Sequence, residues 1–200
     1  MNMSVSKSVR QHILDTAQLI VSHKGFSAVG LNEVLQAADV PKGSFYHYFS
    51  SKDAFGVALL DHYFESYLKE VRQVFQAPDV SERQKLLLYW QRWIDNQTLQ
   101  TDAGKCLAVK LGAEVADLSE PMRLALDRGT SQIINVLAGV LSRGIEEGSL
   151  TVDDAPECMA LRLYALWLGA SVMAKITRTT VAFDEAMLMT RTLLGCADKH

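Results

Sequence analysis

Cysteine is scarce in this 200-residue chain, occurring only at Cys106, Cys158 and Cys196. The number is odd, and no CxxC pair or metal-ligand spacing is present, so neither a metal nor a cofactor is expected. The thiols are expected to be reduced, in a cytoplasmic protein. No apolar signal segment opens the sequence, since Ser4 to Gln11 is polar. No uninterrupted apolar run reaches the ~20 residues that cross a bilayer, so no membrane partner is expected. His12, His23, His47 and His62 fall in the first third, and His200 is terminal. That layout gives no Cys–His catalytic pair, and the chain is not expected to be an enzyme. A thiol enzyme using Cys106 is the one alternative from that class. No internal repeat or low-complexity tract is visible.

What remains is an ordinary globular composition, 48% hydrophobic and 22% charged. The net charge of −3 argues alone against nucleic acid, but its distribution matters more. Residues 1–55 hold five basic and four acidic side chains, and residues 56–200 hold 15 and 19. A slightly positive end on an acidic protein limits non-specific adhesion to DNA.

The stretch Pro41 to Phe49 organises the rest. Pro41 suits a helix start. In a helix running on from there, Phe45, Tyr48 and Phe49 share one side by the i, i+3, i+4 rule, and Lys42, Gly43, Tyr46 and His47 share the other. One face is fit for a core. The other carries a cation, a bare backbone, a phenol and an imidazole, a mixture that suits phosphates and base edges. Upstream, Leu31, Val34, Leu35 and Ala38 mark a second short helix, broken at Asp39-Val40-Pro41. Helix, tight turn and helix make a helix-turn-helix, whose second helix enters the major groove.

The run Val40-Pro41-Lys42-Gly43-Ser44-Phe45-Tyr46-His47-Tyr48-Phe49, followed by Ser51-Lys52, resembles the DNA-binding signature of the TetR family of transcriptional regulators over roughly residues 8 to 60. The family often has glycine at the position of Asp39 and serine or threonine at that of Pro41. The resemblance implies that Lys42, Gly43, Ser44, Tyr46, His47 and Lys52 meet double-stranded operator DNA, with the lysines mainly on phosphates.

The other elements read as helices throughout, giving an all-α fold: a three-helix helix-turn-helix domain over residues 1–52 and a regulatory and dimerisation bundle over 53–200. Val9 to Val21 supplies the stripe of a first helix over 8–24, which Gly25 stops. A fourth helix, capped by Ser50 or Ser51, runs to Phe75, and Ala77-Pro78-Asp79 breaks the chain. Helices follow at 81–97, 106–115, 119–147, 153–179 and 183–194, with a polar loop from Thr98 to Gly104. Leu163 to Ala174 carries no charge and is apolar on every side. A helix apolar all round must be covered all round. Leu161, Leu168, Gly169, Ala170 and Val172 are therefore expected to lie in a homodimer interface; TetR-like proteins are typically dimers built from their last two long helices. Trp90, Trp93 and Trp167 are candidates to line an effector pocket for a reversible apolar ligand.

Cys106 lies at a helix start after Lys105. There the helix dipole and the cation favour thiolate if the sulfur is partly exposed, although a lone cysteine is also an ordinary small core residue. Lys105 to Val115, with Asp117-Leu118-Ser119, Leu163 to Ala170 and Lys175, is similar to a group of TetR-family regulators that respond to reactive electrophiles through a cysteine. Those relatives have glycine at the position of Lys105. This resemblance implies that Cys106 is the sensor and Lys175 acts with it. Cys158 is expected in the core and Cys196 is expected to be incidental. The expected function is a repressor that binds a palindromic operator as a dimer and is released by electrophiles or oxidants.

Overall fold

The structure, a computed structural model, describes residues 2–98 and 106–195, with side chains from Val9 onward. Among the described residues there are nine α-helices and no strand. They are α1 (Asn2–Lys24), α2 (Leu31–Ala37), α3 (Lys42–Tyr48), α4 (Lys52–Phe75), α5 (Glu82–Thr98), α6 (Leu107–Ala116), α7 (Glu120–Glu146), α8 (Pro156–Thr177) and α9 (Val181–Leu193). Most helix ends fall within three residues of their expected places. The largest difference is α1, which starts at Asn2 instead of residue 8. No proline or glycine interrupts residues 2–10, so nothing stops the backbone from coiling early. The expected loop from Thr98 to Gly104 lies, beyond Thr98, outside the described residues, as do Lys105 and Cys196.

The chain divides into two compact units. One comprises Met1–Ser66 with Thr101–Thr130, the other Tyr67–Gln100 with Ser131–His200. In the first, α1 buries Ile13, Leu14, Ala17 and Val21. It stops at Gly25, whose φ of +87° favours glycine. The core is completed by an aromatic cluster in which Phe45 and Phe49 each lie within 5.4 Å of Phe55, centroid to centroid. Ser51 caps α4, its Oγ accepting from the Ala54 N–H at 3.0 Å.

The second unit is built on indoles. Trp90 and Trp167 stack at 4.8 Å and 5°, and Phe183 lies against the other side of Trp167. Hydroxyls satisfy two of the indole N–H groups: Trp93 donates to Ser171 Oγ and Trp167 to Thr190 Oγ1, both at 2.9 Å. α8 begins at Pro156, later than the expected 153, because proline is preorganised for the first helical turn. It ends in Arg178, which adopts the left-handed region at φ +56°. By length and composition α8 is long and apolar enough to cross a membrane, with a mean hydropathy of 1.3, but its inner side is a core side of this bundle.

Packing in the first unit makes one glycine indispensable. A Cβ on Gly129, in α7, would stand 2.1 Å from the ring of buried Phe64. Gly112, in α6, has open space at the same position. Glycine to alanine in an open helical site stabilises by ~1 kcal/mol. Gly129→Ala is expected to destabilise by about 1–3 kcal/mol instead, from overpacking. Thermal melts of Gly129→Ala and Gly112→Ala should therefore move in opposite directions.

Candidate nucleic-acid interface and thiol site

The recognition helix α3 is short, and its inner face holds it in place. Phe45 is fully buried and Phe49 nearly so, Tyr48 is half-buried, and Lys42, Gly43, Tyr46 and His47 are exposed, as their spacing predicts. Tyr46 is 61% exposed, which is unusual for so large a ring. Ser44 is half-buried. A Cβ on Gly43 would meet nothing, so internal packing does not require glycine there. The bare backbone leaves room for a close external approach. Pro41 is the N-cap, its carbonyl accepting from Ser44 N–H at 2.9 Å. Asp39 has φ +51°, which accounts for the glycine that similar sequences carry at this turn; aspartate is among the few other residues that tolerate the region.

Lys52 is placed differently from a free phosphate ligand. Its ammonium lies 5.2 Å from the centroid of Phe26 and donates to the Val29 carbonyl at 3.4 Å. The side chain ties the start of α4 to the loop between α1 and α2.

Cys106 is the N-cap of α6, its carbonyl accepting from Lys110 N–H at 3.1 Å. The thiol is 5% exposed, less open than a partly exposed thiolate would be. It belongs to the same compact unit as α3, so it is not confined to the distal bundle by its place in the chain. The helix it opens carries two contacts that sequence reasoning missed. Lys110 Nζ donates to the His23 carbonyl at 2.8 Å, at the end of α1. Glu114 accepts from the Ser27 N–H at 2.6 Å and the Phe26 N–H at 3.3 Å. A Cβ on Gly25 would stand 2.7 Å from the same carboxylate, so this glycine is required twice. The only signal in the sequence is a Lys–Glu pair at i, i+4 on an otherwise apolar helix, and it does not name a partner 87 residues away.

In the other unit, Trp90, Trp93 and Trp167 do come together, but against each other. All three are buried, and the Trp90–Trp167 stack leaves no gap for a ligand between the rings. Trp93 lines a cavity of about 60 Å³ with Tyr67 and Tyr89, room for about two waters. Lys175 lines a separate cleft at the end of α8. Of the expected interface residues, Leu161, Gly169 and Val172 are exposed on one stripe of α8, and Leu168 is half-buried. Ala170 is buried and faces its own bundle, one helical step round from Gly169. Met173 and Ile176 of α8 and Leu188 and Met189 of α9 extend the exposed apolar surface. Cys158, expected in the core, is exposed on the same stripe as Leu161. Because α8 is apolar on every side, its pattern did not say which side faces inward.

The Glu114 contact has a pH signature. Partial burial pushes its carboxyl up, but the Ser27 amide and hydroxyl, the Phe26 amide and Lys110 outweigh that, and the group ends below its ordinary value. A pKa depressed on folding contributes stability above the unfolded value and loses it as pH falls through the folded one. Glu114→Gln is expected to destabilise by about 1 kcal/mol at neutral pH, since an amide oxygen is a weaker acceptor than a carboxylate. The difference from the parent should shrink between about pH 5 and about pH 3, and denaturant melts across that range check it.

Comparison with known proteins completes the site. Residues 13–59 match the family described as bacterial regulatory proteins, tetR family, and residues 83–190 match the tetracyclin repressor-like C-terminal domain. The chain is 39% identical to the HTH-type transcriptional repressor NemR of Escherichia coli (strain K12), over 98% of each. It is 30% identical to the HTH-type transcriptional repressor DhaR of Mycobacterium sp. (strain GP1), over 88% of this chain and 87% of that one. The structure of E. coli NemR in its reduced form superposes with a TM-score of 0.89, covering 96% of this chain and 99% of that one. With a helix-turn-helix whose polar face is open and matches of this extent along both parts of the chain, this protein belongs to the TetR family of bacterial regulatory proteins and is a DNA-binding transcriptional regulator.

Proposed function

We propose that this regulator is a repressor that binds a pseudo-palindromic operator duplex as a homodimer, in the bacterial cytoplasm, and lets go when Cys106 reacts with an electrophile or oxidant. In this reading Tyr46 and His47 meet bases or phosphates, and Lys42 meets phosphate. Gly43 and Ser44 bring the backbone close, and Lys52 sets the loop behind the helix.

The observation that carries the thiol part is the position of Cys106 on α6. One turn beyond it, Lys110 holds the end of α1, and one turn further Glu114 holds the amides of Phe26 and Ser27. Adding bulk to a thiol with 5% exposure must displace something, and the first turn of α6 is the element that carries it. Moving that turn loosens the two contacts that set where α1 ends and α2 begins, and α3 follows α2. A difference of ~3 kcal/mol between the clamped and loosened forms lowers operator affinity on the order of a hundredfold. Lys175 is retained as the amine that acts with the thiol on the strength of the sequence resemblance. The relative NemR is described in a reduced form, which makes redox state a variable for that protein.

The test is a gel shift against the DNA flanking the protein's own gene, with and without N-ethylmaleimide. The parent should be released by the reagent. Cys106→Ser should bind and stay bound, and Cys158→Ser should behave like the parent. Release of Cys106→Ser as readily as the parent would remove the thiol from the mechanism.

The dimer part rests on the exposed apolar stripe of α8 and α9. Gly169 is exposed in mid-helix, and a Cβ added there would meet nothing within 4 Å, so only a partner would notice a side chain at this position. Gly169→Glu should leave the folded subunit intact while sedimentation shows dissociation and operator affinity falls with it. A Gly169→Glu protein that stays dimeric with unchanged affinity would take this stripe out of the interface.

A further inference from the structure

A cleft of about 290 Å³ lies where the ends of α5 and α8 meet the start of α9, entirely within the second unit. Neither the DNA face nor the thiol accounts for it. Its volume is at the small end of ligand pockets, ~300–1,000 Å³. The floor is apolar and fixed: Phe183 is buried, and Ser171 is buried with its hydroxyl accepting from Trp93 and donating to the Trp167 carbonyl. The rim is polar and open, with Lys175, Arg178, the hydroxyls of Thr98, Thr179 and Thr180, and the amide of Gln97. No carboxylate lines the cleft.

Cations at a helix end ordinarily offset its dipole, and Lys175, in the last turn, has that role available. Arg178 is less simply explained. It stands one residue past the last helical turn, and among the described residues no carboxylate pairs with it. A guanidinium beside an apolar floor, with a second cation and hydroxyls around it, fits a planar anion that carries an apolar body.

We propose that this cleft binds a small organic carboxylate, its anionic group against Arg178 and Lys175 and its apolar body over Phe183. The site goes beyond the thiol reading and needs no reaction at Cys106.

The experiment is calorimetric titration of the full-length protein, without DNA or thiol reagent, using benzoate, its neutral analogue benzamide and inorganic phosphate as probes. Benzoate should bind at least about tenfold more tightly than either other probe. Arg178→Gln and Lys175→Gln, both at exposed positions, should each weaken benzoate by about tenfold or more with unchanged thermal melts. Cys106→Ser should bind benzoate like the parent, so a failure of the thiol mechanism leaves this result standing. Benzamide binding as tightly as benzoate would mean an apolar cavity with no anion site. Phosphate binding as tightly would mean charge attraction with no use of the floor. Absence of benzoate heat up to ~10 mM, or benzoate affinity indifferent to both substitutions, would overturn the assignment.

Discussion

The arrangement of the DNA-binding helices depends on one carboxylate. Between α1 and α2 the chain turns through Gly25 to Gly30, and the amides of Phe26 and Ser27 have no helix to accept them. Glu114, brought in by α6, accepts from both. Buried or half-buried amides without acceptors cost about 1–3 kcal/mol each, so this turn would not hold its shape alone. The contact also restricts the chain. The carboxylate occupies the space where a side chain at Gly25 would stand, and only a φ of +87° lets the backbone pass beneath it. Phe26, placed by that turn, then packs on Phe55 and under Lys52, so the same contact reaches the start of α4.

The recognition helix depends on this frame because it cannot support itself. α3 spans Lys42–Tyr48, far below the ~12 residues at which isolated helices become even marginal in water. Its stability comes from burying Phe45 and Phe49, each contributing about 1.5–3 kcal/mol. These two rings touch Phe55, and Arg10 of α1 lies over Phe49 at 5.3 Å. The outward angle of Tyr46 and His47 is therefore set by three other helices. A disturbance at the α1–α2 turn reaches the reading face through packed aromatic rings, without any residue of α6 approaching DNA.

The two faces of α3 were legible in the sequence because the pattern is local: apolar positions three and four apart dictate which side is buried. The turn at Asp39 was legible for the same reason. What could not be read was contact across distance. Lys110 and Glu114 look like a solvated i, i+4 pair, and nothing near them points to His23 or Ser27. α8 was illegible in another way. A helix apolar on every side has no periodicity to orient it, so Gly169 and Ala170, adjacent and similar, could not be assigned to opposite sides, and Cys158 could not be placed outside. The indoles show a third limit. Their clustering followed from helix faces, but whether three large rings enclose a space or fill it depends on orientations that spacing does not encode; here a 5° stack at 4.8 Å fills it.

Charge placement bears on how such a regulator discriminates among DNA sequences. Non-specific affinity scales with the number of phosphates a protein neutralises, and it falls steeply with salt. This chain has few cations to spend there. Of five basic side chains in residues 1–55, Lys24 pairs with Glu33, Lys52 lies across Phe26, and Arg10 covers Phe49. Lys42 stands at the start of the recognition helix, on a chain of net charge −3. Binding to arbitrary duplex is correspondingly weak. The remaining affinity has to come from groups that discriminate, the phenol of Tyr46, the imidazole of His47 and the backbone at Gly43, because base-edge contacts form only where the sequence offers matching partners. A regulator built this way is sensitive to the angle of one short helix. Phosphate attraction tolerates a displacement of an ångström or two, whereas hydrogen bonds to base edges weaken steeply with distance and angle. The same economy of charge that keeps the protein from adhering to DNA at large makes release attainable by a small movement at the turn that Glu114 holds.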